Sequence, residues 1–324
     1  MSASQLSWSG RARSRALPRG LRVVLYHHLT ERPTELEDKL EIATPPDLFE
    51  AHIARLLQDY EVVDLDCVLS GRLPRRALLI TFDDGYRSIL EIALPVLRRL
   101  GVPSVFFVAG AFLEQQSLPL DNLLCWLESR VGLEALELAI SGRTQRCHSL
   151  GELIDSVADF EFVRRMRLSG ELVERYSVDQ GRIRADSRLF LERDDLSLFA
   201  DFGCEVANHT RSHLFCRSIA TEAQGAHELV EHRALLAEWT GRPVRAFSYP
   251  YGSRRDATPL VQRLLAESGH EASFLVESRP NYARHPGKLW NRVSLHACPV
   301  SHLMTQLEVL PPLRAVRDAV SSST

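Results

Sequence analysis

The sequence predicts an α/β fold built on a parallel sheet, and three observations support this. Short apolar runs bounded by turn residues alternate with helical stretches along the chain. Residues 78–109 have the pattern of strand, helix and strand at the spacing of a βαβ unit. The chain has 324 residues, a length at which an α/β barrel often forms a single domain. The residues therefore predict an α/β fold with a parallel sheet, and the length fits either two domains or one barrel.

Eight segments have the apolar pattern of buried strands. In chain order they are 22–26, 62–65, 78–84, 104–109, 204–207, 246–249, 272–276 and 292–295. Helical spacing of apolar residues covers 45–60, 86–101, 222–239 and 260–267. Gly101 and Gly241 supply stop signals. Pro95 would interrupt or kink the second helix, and an interruption would give two shorter pieces.

Residues 112–201 interrupt this alternation. The stretch is leucine-rich, well charged and mostly helical in pattern, and it has no cluster of carboxylates or histidines of its own. We expect a barrel domain over residues 21–324 with this mainly helical insertion at about 112–201. Two interpretations of the insertion stay open, a packing subdomain and a lid over a substrate site.

Composition and charge exclude several classes of protein. Hydrophobic residues make up 45% and charged residues 25%, which matches a globular protein with a substantial core. The 39 basic and 42 acidic residues give a net charge of −3, so no overall basic balance points to nucleic acid. No apolar run reaches the length of a membrane span, and no transmembrane segment is expected.

The cysteines and the N-terminus predict the compartment. Residues 1–20 contain four arginines without a following apolar stretch of signal-peptide length, and we expect a flexible arm there. The six cysteines are scattered, with no Cys-x-x-Cys spacing. A long chain without a secretion signal is expected in a reducing compartment, so the cysteines are interpreted as free thiols and the protein as cytoplasmic.

Two adjacent carboxylates, Asp83 and Asp84, end the apolar run of residues 78–82 and precede Gly85. This places them at the C-terminal end of a core strand, where ligands and catalytic groups collect in α/β folds. The alternative is an ordinary turn whose aspartates accept hydrogen bonds from nearby backbone N–H groups.

Histidines provide the other candidate ligands. His27 and His28 follow the first predicted strand, where structural roles are the common alternative. His209 and His213 are four residues apart, which puts both imidazoles on one side of a helical turn and lets them approach one cation. Two histidines and one carboxylate are a common ligand set with open positions for water and substrate, so Asp84 would complete it.

These residues resemble the signatures of the polysaccharide deacetylases, that is, carbohydrate esterase family 4 with its NodB-like homology domain. Residues 81–85 are Thr-Phe-Asp-Asp-Gly, residues 209–213 match His-Ser/Thr-x-x-His, and residues 250–252 match the Pro-Tyr-Gly that ends the third signature. The resemblance extends from about Arg22 to His296, interrupted by the insertion. It implies a distorted (β/α) barrel with N-deacetylase activity.

The resemblance also implies roles for these residues. Asp84, His209 and His213 would bind a divalent metal, typically zinc, with other divalent transition metals possible, while Asp83 would be the general base. This division is chemically reasonable, because a bound metal lowers the pKa of water and polarises an acyl oxygen while a free carboxylate accepts the proton.

The remaining implied roles concern the oxyanion, the leaving group and the substrate. The backbone N–H of Tyr251 would hold the oxyanion. His296 would be the general acid, although it follows Leu295 directly where the family signature is Leu-x-His. Tyr86, Pro250 and Gly252 would contact the substrate.

One departure from the family concerns the partner of Asp83. The third signature usually begins with an arginine that orients the catalytic aspartate, and here that position is Ser248. Arg292 and Arg254 are the candidate replacements, because both lie near predicted strand ends.

The predicted function is therefore hydrolysis of an acetamido group on a sugar or glycoconjugate, releasing acetate and a free amine. The expected lack of a secretion signal favours a cytosolic sugar precursor or a small glycoside over a finished wall polymer. The alternatives are a metal-dependent amidohydrolase that acts on a non-sugar amide and a deacetylase-like carbohydrate-binding protein without turnover. The oligomeric state is not predicted.

Overall fold

The computed structural model describes residues 20–142, 147–200, 204–282 and 289–321. The arm predicted for residues 1–20 lies outside these ranges except for Gly20, which begins the first strand. The described residues form a nearly closed parallel barrel with helices around it, which confirms the predicted fold class.

The strands of the barrel are short and run side by side. In chain order the strands of the molecule are β1 (Gly20–Tyr26), β2 (His28–Leu29), β3 (Ala43–Thr44), β4 (Glu61–Val62), β5 (Arg76–Asp84), β6 (Ser104–Val108), β7 (Cys204–Asn208), β8 (Ala246–Ser248), β9 (Ala272–Leu275), β10 (Asn281–Tyr282), β11 (Leu289–Asn291) and β12 (Val293–Ser294). Hydrogen-bonded neighbours follow the order β10-β1-β5-β6-β7-β8-β9-β11, and β10 is antiparallel to β1. Because β11 pairs with β9 and β12 pairs with β1, residues 289–294 nearly close the barrel.

The alternation of side chains along β5 decides which of them enter the barrel. Leu79 packs with Phe107 in the cluster of the barrel interior. Ile80 and Phe82 point the other way and pack in the larger cluster that contains residues of the surrounding helices. Since successive side chains of a strand point to opposite faces, Asp83 continues the inward series of Leu79. The strand therefore carries a carboxylate into the barrel.

The register of the strands aligns their C-terminal ends. Asp84 is paired with Val108, and Val108 is paired with Asn208. Residues that directly follow β5, β6 and β7 consequently arrive at the same edge of the barrel. This edge is where parallel barrels carry their functional groups.

The helices surround the barrel and cover its C-terminal edge. In chain order they are α1 (Pro46–Asp59), α2 (Leu65–Ser70), α3 (Leu94–Leu100), α4 (Leu120–Val131), α5 (Leu133–Ser141), α6 (Leu150–Ser156), α7 (Phe162–Tyr176), α8 (Gln180–Ser187), α9 (Leu196–Ala200), α10 (Glu222–Gly225), α11 (His232–Thr240), α12 (Pro259–Glu267) and α13 (Leu310–Ser321). None of the described helices is both long and apolar enough to cross a membrane.

The segment predicted to be a helical insertion contains α4 to α9, between β6 and β7. Its leucines form a second hydrophobic cluster that also includes Tyr86, Phe112 and Phe215 from the edge of the barrel. The insertion and the barrel therefore share one continuous core at this edge. Ser149 caps α6 by accepting a hydrogen bond from the backbone N–H of Glu152.

Three predicted elements differ from the structure. The strand predicted for residues 62–65 ends at Val62, because Asp64 caps α2 with its side chain. Pro95 does not divide its helix: a π-helical turn, Ile89–Ala93, runs directly into α3, and Pro95 lies in the first turn of α3, where a missing N–H is tolerated. The strand predicted for residues 292–295 begins earlier and is interrupted at Arg292.

Gly252, which follows β8, offers a test of how tightly this edge is packed. Its φ is +68°, and a Cβ there would lie 2.2 Å from the backbone nitrogen of Val276, whereas Gly71 has the same φ with nothing within 4 Å of its Cβ position. We expect Gly71→Ala to lower the free energy of unfolding by about 1–2 kcal/mol, the cost of the left-handed conformation. Gly252→Ala should lower it further, because steric overlap is added. Urea unfolding measures both, and equal losses would contradict the tight packing.

Candidate active site

Polar side chains from separate parts of the chain meet at the C-terminal edge of the barrel. Asp83 and Asp84 end β5, and His209 and His213 lie in the loop that follows β7. Arg292 stands between β11 and β12, where the barrel closes. All five side chains are buried. The structure thus brings together the residues that the first two signatures contain.

Asp84, His209 and His213 form a group that could hold a metal ion. Each offers one ligand atom, and these atoms lie within 4.8 Å of one another. Asp84 Oδ1 is 3.2 Å from His213 Nε2 and 3.6 Å from His209 Nε2. Asp84 Oδ1 is also a buried oxygen without a hydrogen bond of good geometry in the described part of the chain. An orphaned carboxylate oxygen facing two imidazole nitrogens fits a divalent cation.

The orientation of the His209 ring follows from its backbone partner. His209 Nδ1 lies 2.8 Å from the carbonyl oxygen of Ser248. A carbonyl oxygen can only accept, so Nδ1 donates and the lone pair of Nε2 faces Asp84. The barrel itself therefore fixes the tautomer that a metal ligand requires.

The loop after β7 is not the helical turn that the spacing of the histidines predicts. Thr210 and His213 have φ values of 64° and 49°, in the left-handed region, and the loop between them is irregular. Glu228 holds this loop, since its side chain accepts hydrogen bonds from the backbone N–H and the hydroxyl of Ser212. The two imidazoles converge because of these left-handed residues rather than helical periodicity. Asp84 and Tyr251 also have positive φ values, 79° and 60°, and such strained residues concentrate at functional sites.

The electrostatics of the group favour positive charge. Burial lowers the pKa of His213, but the carboxylates of Asp84 and Asp121 outweigh burial and raise that pKa to about 10. Burial raises the pKa of Asp84, but the positive charges of His213 and His27 outweigh it and hold that pKa well below its usual value. In the metal-free protein, a proton on His213 supplies the positive charge that the pocket requires. A divalent cation would supply it instead.

Asp83 has a partner that the third signature does not supply. Arg292 Nη1 donates to Asp83 Oδ1 and Arg292 Nη2 donates to Asp83 Oδ2, both at 2.6 Å. Ser248 Oγ lies 3.3 Å from Asp83 Oδ2 and also accepts a hydrogen bond from Arg292. Of the two candidate replacements, Arg292 is the one that contacts Asp83. Arg254 instead pairs with Glu277 and is half-exposed.

His296 is in contact with a second histidine, His27. Its Nε2 lies 2.6 Å from His27 Nδ1. Burial lowers the pKa of His296 to about 3, and the charge of His27 acts in the same direction. Burial also lowers the pKa of His27, against the effect of Asp84 and Asp83. Because one of these two nitrogens must donate to the other, the protonation of His296 depends on that of His27, whose only signal in the sequence was its place after a strand.

The other predicted site residues have different surroundings. The ring of Tyr251 is stacked on Phe215 with 3.7 Å between ring centroids. Pro250 and Gly252 are buried beside it. Tyr86 is buried in the second cluster, and its hydroxyl accepts a hydrogen bond from Asn122. Their predicted contacts with substrate, and the oxyanion role of the Tyr251 N–H, stay predictions.

One carboxylate at the site comes from the insertion and was not predicted. Oδ2 of Asp121, in α4, lies 3.3 Å from Nδ1 of His213. The hydroxyl of Tyr251 donates to Oδ1 of Asp121 at 3.0 Å and to Oδ2 at 2.8 Å. An isolated aspartate near the start of a helix is indistinguishable from a common first-turn residue in sequence. Its proximity to His213 arises only from the packing of α4 on the barrel.

A parallel barrel with carboxylates and histidines at the C-terminal ends of its strands defines the class of this protein, an α/β-barrel enzyme. The family model described as polysaccharide deacetylase matches residues 70–272, more than half of the chain. This protein therefore belongs to the polysaccharide deacetylase family. Membership supports deacetylase activity, which is a hydrolase activity. No curated protein matches the sequence.

Solved structures share the fold at low identity. The Streptococcus pyogenes deacetylase PplD, determined in complex with acetate, matches with a TM-score of 0.58 and 14% identity over 90% of this chain and 99% of its own. IcaB from Ammonifex degensii matches with a TM-score of 0.56 and 19% identity over 90% of this chain and 98% of its own. BC0361, a polysaccharide deacetylase from Bacillus cereus, matches with a TM-score of 0.56 and 15% identity over 90% of this chain and 69% of its own. At these identities the likeness shows the fold.

The pairing of Arg292 with Asp83 predicts how deacetylation depends on pH. Burial raises the pKa of Asp83, but the charges of Arg292 and His209 outweigh it and lower the pKa. A general base acts only when deprotonated, so Arg292→Gln should raise this pKa and move the acidic limb of the kcat/KM profile to higher pH. The profile of acetate release against pH measures the change.

Two variants serve as controls for this prediction. Arg254→Gln removes the other candidate arginine, which contacts Glu277 at the surface, and should leave the profile unchanged. Arg292→Lys keeps a positive charge beside Asp83 and should move the acidic limb less than Arg292→Gln does. An acidic limb that stays in place in a folded Arg292→Gln protein would contradict the assignment.

Proposed function

We propose that this protein is a divalent-metal-dependent N-deacetylase that removes the acetyl group from an acetamido sugar or glycoconjugate. The observation that carries the proposal is the convergence of Asp84, His209 and His213 next to Asp83, a separate carboxylate whose partner is Arg292. Binding alone does not require a charged base beside the ligand set. Hydrolysis of an amide does.

Zinc is the proposed metal. Two imidazoles and one carboxylate with open positions are a ligand set of catalytic zinc, and they also suit other divalent transition metals. When bound, the metal would lower the pKa of water and polarise the acyl oxygen. Asp84, His209 and His213 would hold it.

The side chains then have distinct tasks. Asp83, ionised beside Arg292, accepts a proton from the attacking water. The backbone N–H of Tyr251 stabilises the negative charge that develops on the acyl oxygen when water attacks the acyl carbon. The His27–His296 pair delivers a proton to the departing nitrogen. The oxygen of the water is thereby added to the acetyl group, which leaves as acetate, and a proton is added to the nitrogen, which stays on the sugar as a free amine.

The substrate class rests on family membership, and the individual sugar is open. The cytoplasmic location predicted from the sequence favours a sugar precursor or small glycoside. A non-sugar amide is the alternative within hydrolases. The other alternative is a carbohydrate-binding protein without turnover. Its support was Ser248, which stands where the family has an arginine that orients the aspartate. Arg292 makes that contact with Asp83 instead.

Metal and acetate measurements on purified protein test the proposal. We expect bound metal, acetate release from at least one N-acetylated sugar, loss of release on chelation and its recovery with zinc or cobalt. Asp83→Asn should keep the metal and lower turnover by about 10²–10⁴-fold, whereas Asp84→Asn should lose the metal. Release from non-sugar amides alone would favour the amidohydrolase. Bound metal without release from any amide would favour the binding protein.

The histidine pair gives a second test. His27→Ala and His296→Ala should each lower kcat by about 10²–10⁴-fold if both are needed to protonate the amine. The double variant should lose little more than either single variant, because residues that act as a unit are not additive. His302→Ala, at an exposed position, is the matched control. Normal turnover of His27→Ala would leave His296 as the acid alone.

A further inference from the structure

The helical insertion reaches one of the two histidines of the metal group. Asp121, in the first turn of α4, is nearly buried at 8% exposure. Its Oδ2 lies 3.3 Å from His213 Nδ1, on the side of the ring opposite to Asp84. A carboxylate of the insertion and a carboxylate of β5 therefore hold the two nitrogens of one imidazole between them.

The chemistry of this contact fixes the state of the ring. An ionised carboxylate can only accept, so His213 Nδ1 donates to Asp121. Once Nε2, which lies 3.2 Å from Asp84 Oδ1, gives up its proton, its lone pair would face the position between these two atoms where a metal would bind. A carboxylate that accepts the outer N–H of a histidine sets the tautomer and the orientation of the ring for a metal.

A second helix of the insertion holds Asp121 in place. Arg165 of α7 is buried, and its Nη2 lies 3.9 Å from Asp121 Oδ1, 3.3 Å from the hydroxyl of Tyr251 and 3.4 Å from the carbonyl oxygen of His213. The hydroxyl of Tyr251 donates to both oxygens of Asp121. The carboxylate is thus satisfied on all sides, and its position is determined by α4, α7 and the loop after β8 together.

The two histidines are oriented by different parts of the protein. His209 donates to the backbone carbonyl of Ser248, so the barrel orients it without help. His213 has its partner, Asp121, on the insertion. A barrel without the insertion would leave His213 Nδ1 without this acceptor.

We propose that Asp121 is a positioning residue for His213, and that the helical insertion completes the metal site of this protein. This inference rests on the proposed function, because it assigns Asp121 a role toward the metal that His213 would bind. The insertion is then more than a packing subdomain or a lid, since it determines the affinity of the site.

Metal affinity measured by competition with a chromogenic chelator tests the inference, with zinc and cobalt as probes. Asp121→Ala should weaken binding by about 10–100-fold, the usual effect of removing such a partner. Asp121→Asn keeps the size of the side chain and an accepting oxygen, so it should recover part of the affinity. The visible absorption spectrum of the cobalt protein should change in Asp121→Ala and return toward that of the wild type in Asp121→Asn.

Asn122→Ala is the matched control. Asn122 is the next residue of α4, is fully buried and ties the insertion to the barrel through Leu36 and Tyr86, without contact to His213. It should lower the free energy of unfolding and leave the metal affinity unchanged. An equal loss of affinity in Asn122→Ala would mean that docking of the insertion matters in general, and would overturn the positioning role.

The outcomes separate this inference from the proposed function. If the wild type binds metal tightly and both Asp121 variants bind equally well, the positioning role is wrong and the deacetylase proposal stands. If the wild type binds neither zinc nor cobalt, the proposed function fails and the inference fails with it.

Discussion

The buried ion pair of Arg292 and Asp83 is the interaction on which the rest of the site depends. At most 2% of the surface of either residue is exposed to solvent. Removing one partner of such a pair leaves a buried charge uncompensated, which lowers the free energy of unfolding by about 3–5 kcal/mol. The guanidinium also donates to Thr81, Ser248 and the carbonyl oxygen of Leu275. One charge pair thus joins β5, β8, β9 and the segment that closes the barrel. The contacts that hold Asp83, the proposed general base, are therefore also contacts that close the barrel.

The fixed charges explain why the remaining pocket would favour a cation. Arg292 compensates Asp83, and Arg165 lies beside Asp121. Two arginines therefore face three carboxylates, and the charge of Asp84 is left without a permanent partner. In the metal-free protein this excess appears as the raised pKa of His213, about 10. The same excess would stabilise a divalent ion, which would have to displace that proton.

Local patterns predicted a parallel α/β fold, and the resemblance of the signatures to a known family predicted the barrel. Buried strands such as β5 and β6 are short apolar runs, and the residues that end them are visible in sequence. The loop of His209 and His213 was mispredicted as a helical turn, because its conformation depends on Glu228, a residue outside the loop. Positive φ values at non-glycine residues cannot be predicted from the local sequence when the surrounding structure imposes them.

The contacts that complete the site could not be predicted, because each joins residues far apart in the chain. Asp121 approaches His213 only through the packing of α4 on the barrel, and His27 meets His296 only when residues 289–294 return to β1. In all these cases the residue types were ordinary in their local sequence. Tertiary packing gave them their partners.

The place of Arg292 shows that such a site is specified by position in space and not by order in the chain. Ser248 is too short to form a bidentate pair with a carboxylate, and its hydroxyl merely lies beside Asp83 at 3.3 Å. The end of β8 and the gap between β11 and β12 both border the interior of the barrel, so a guanidinium can reach Asp83 from either. The chemical requirement is a planar cation with two donors against the base. Since Arg292 meets that requirement, the serine in the third signature is no argument for a loss of turnover.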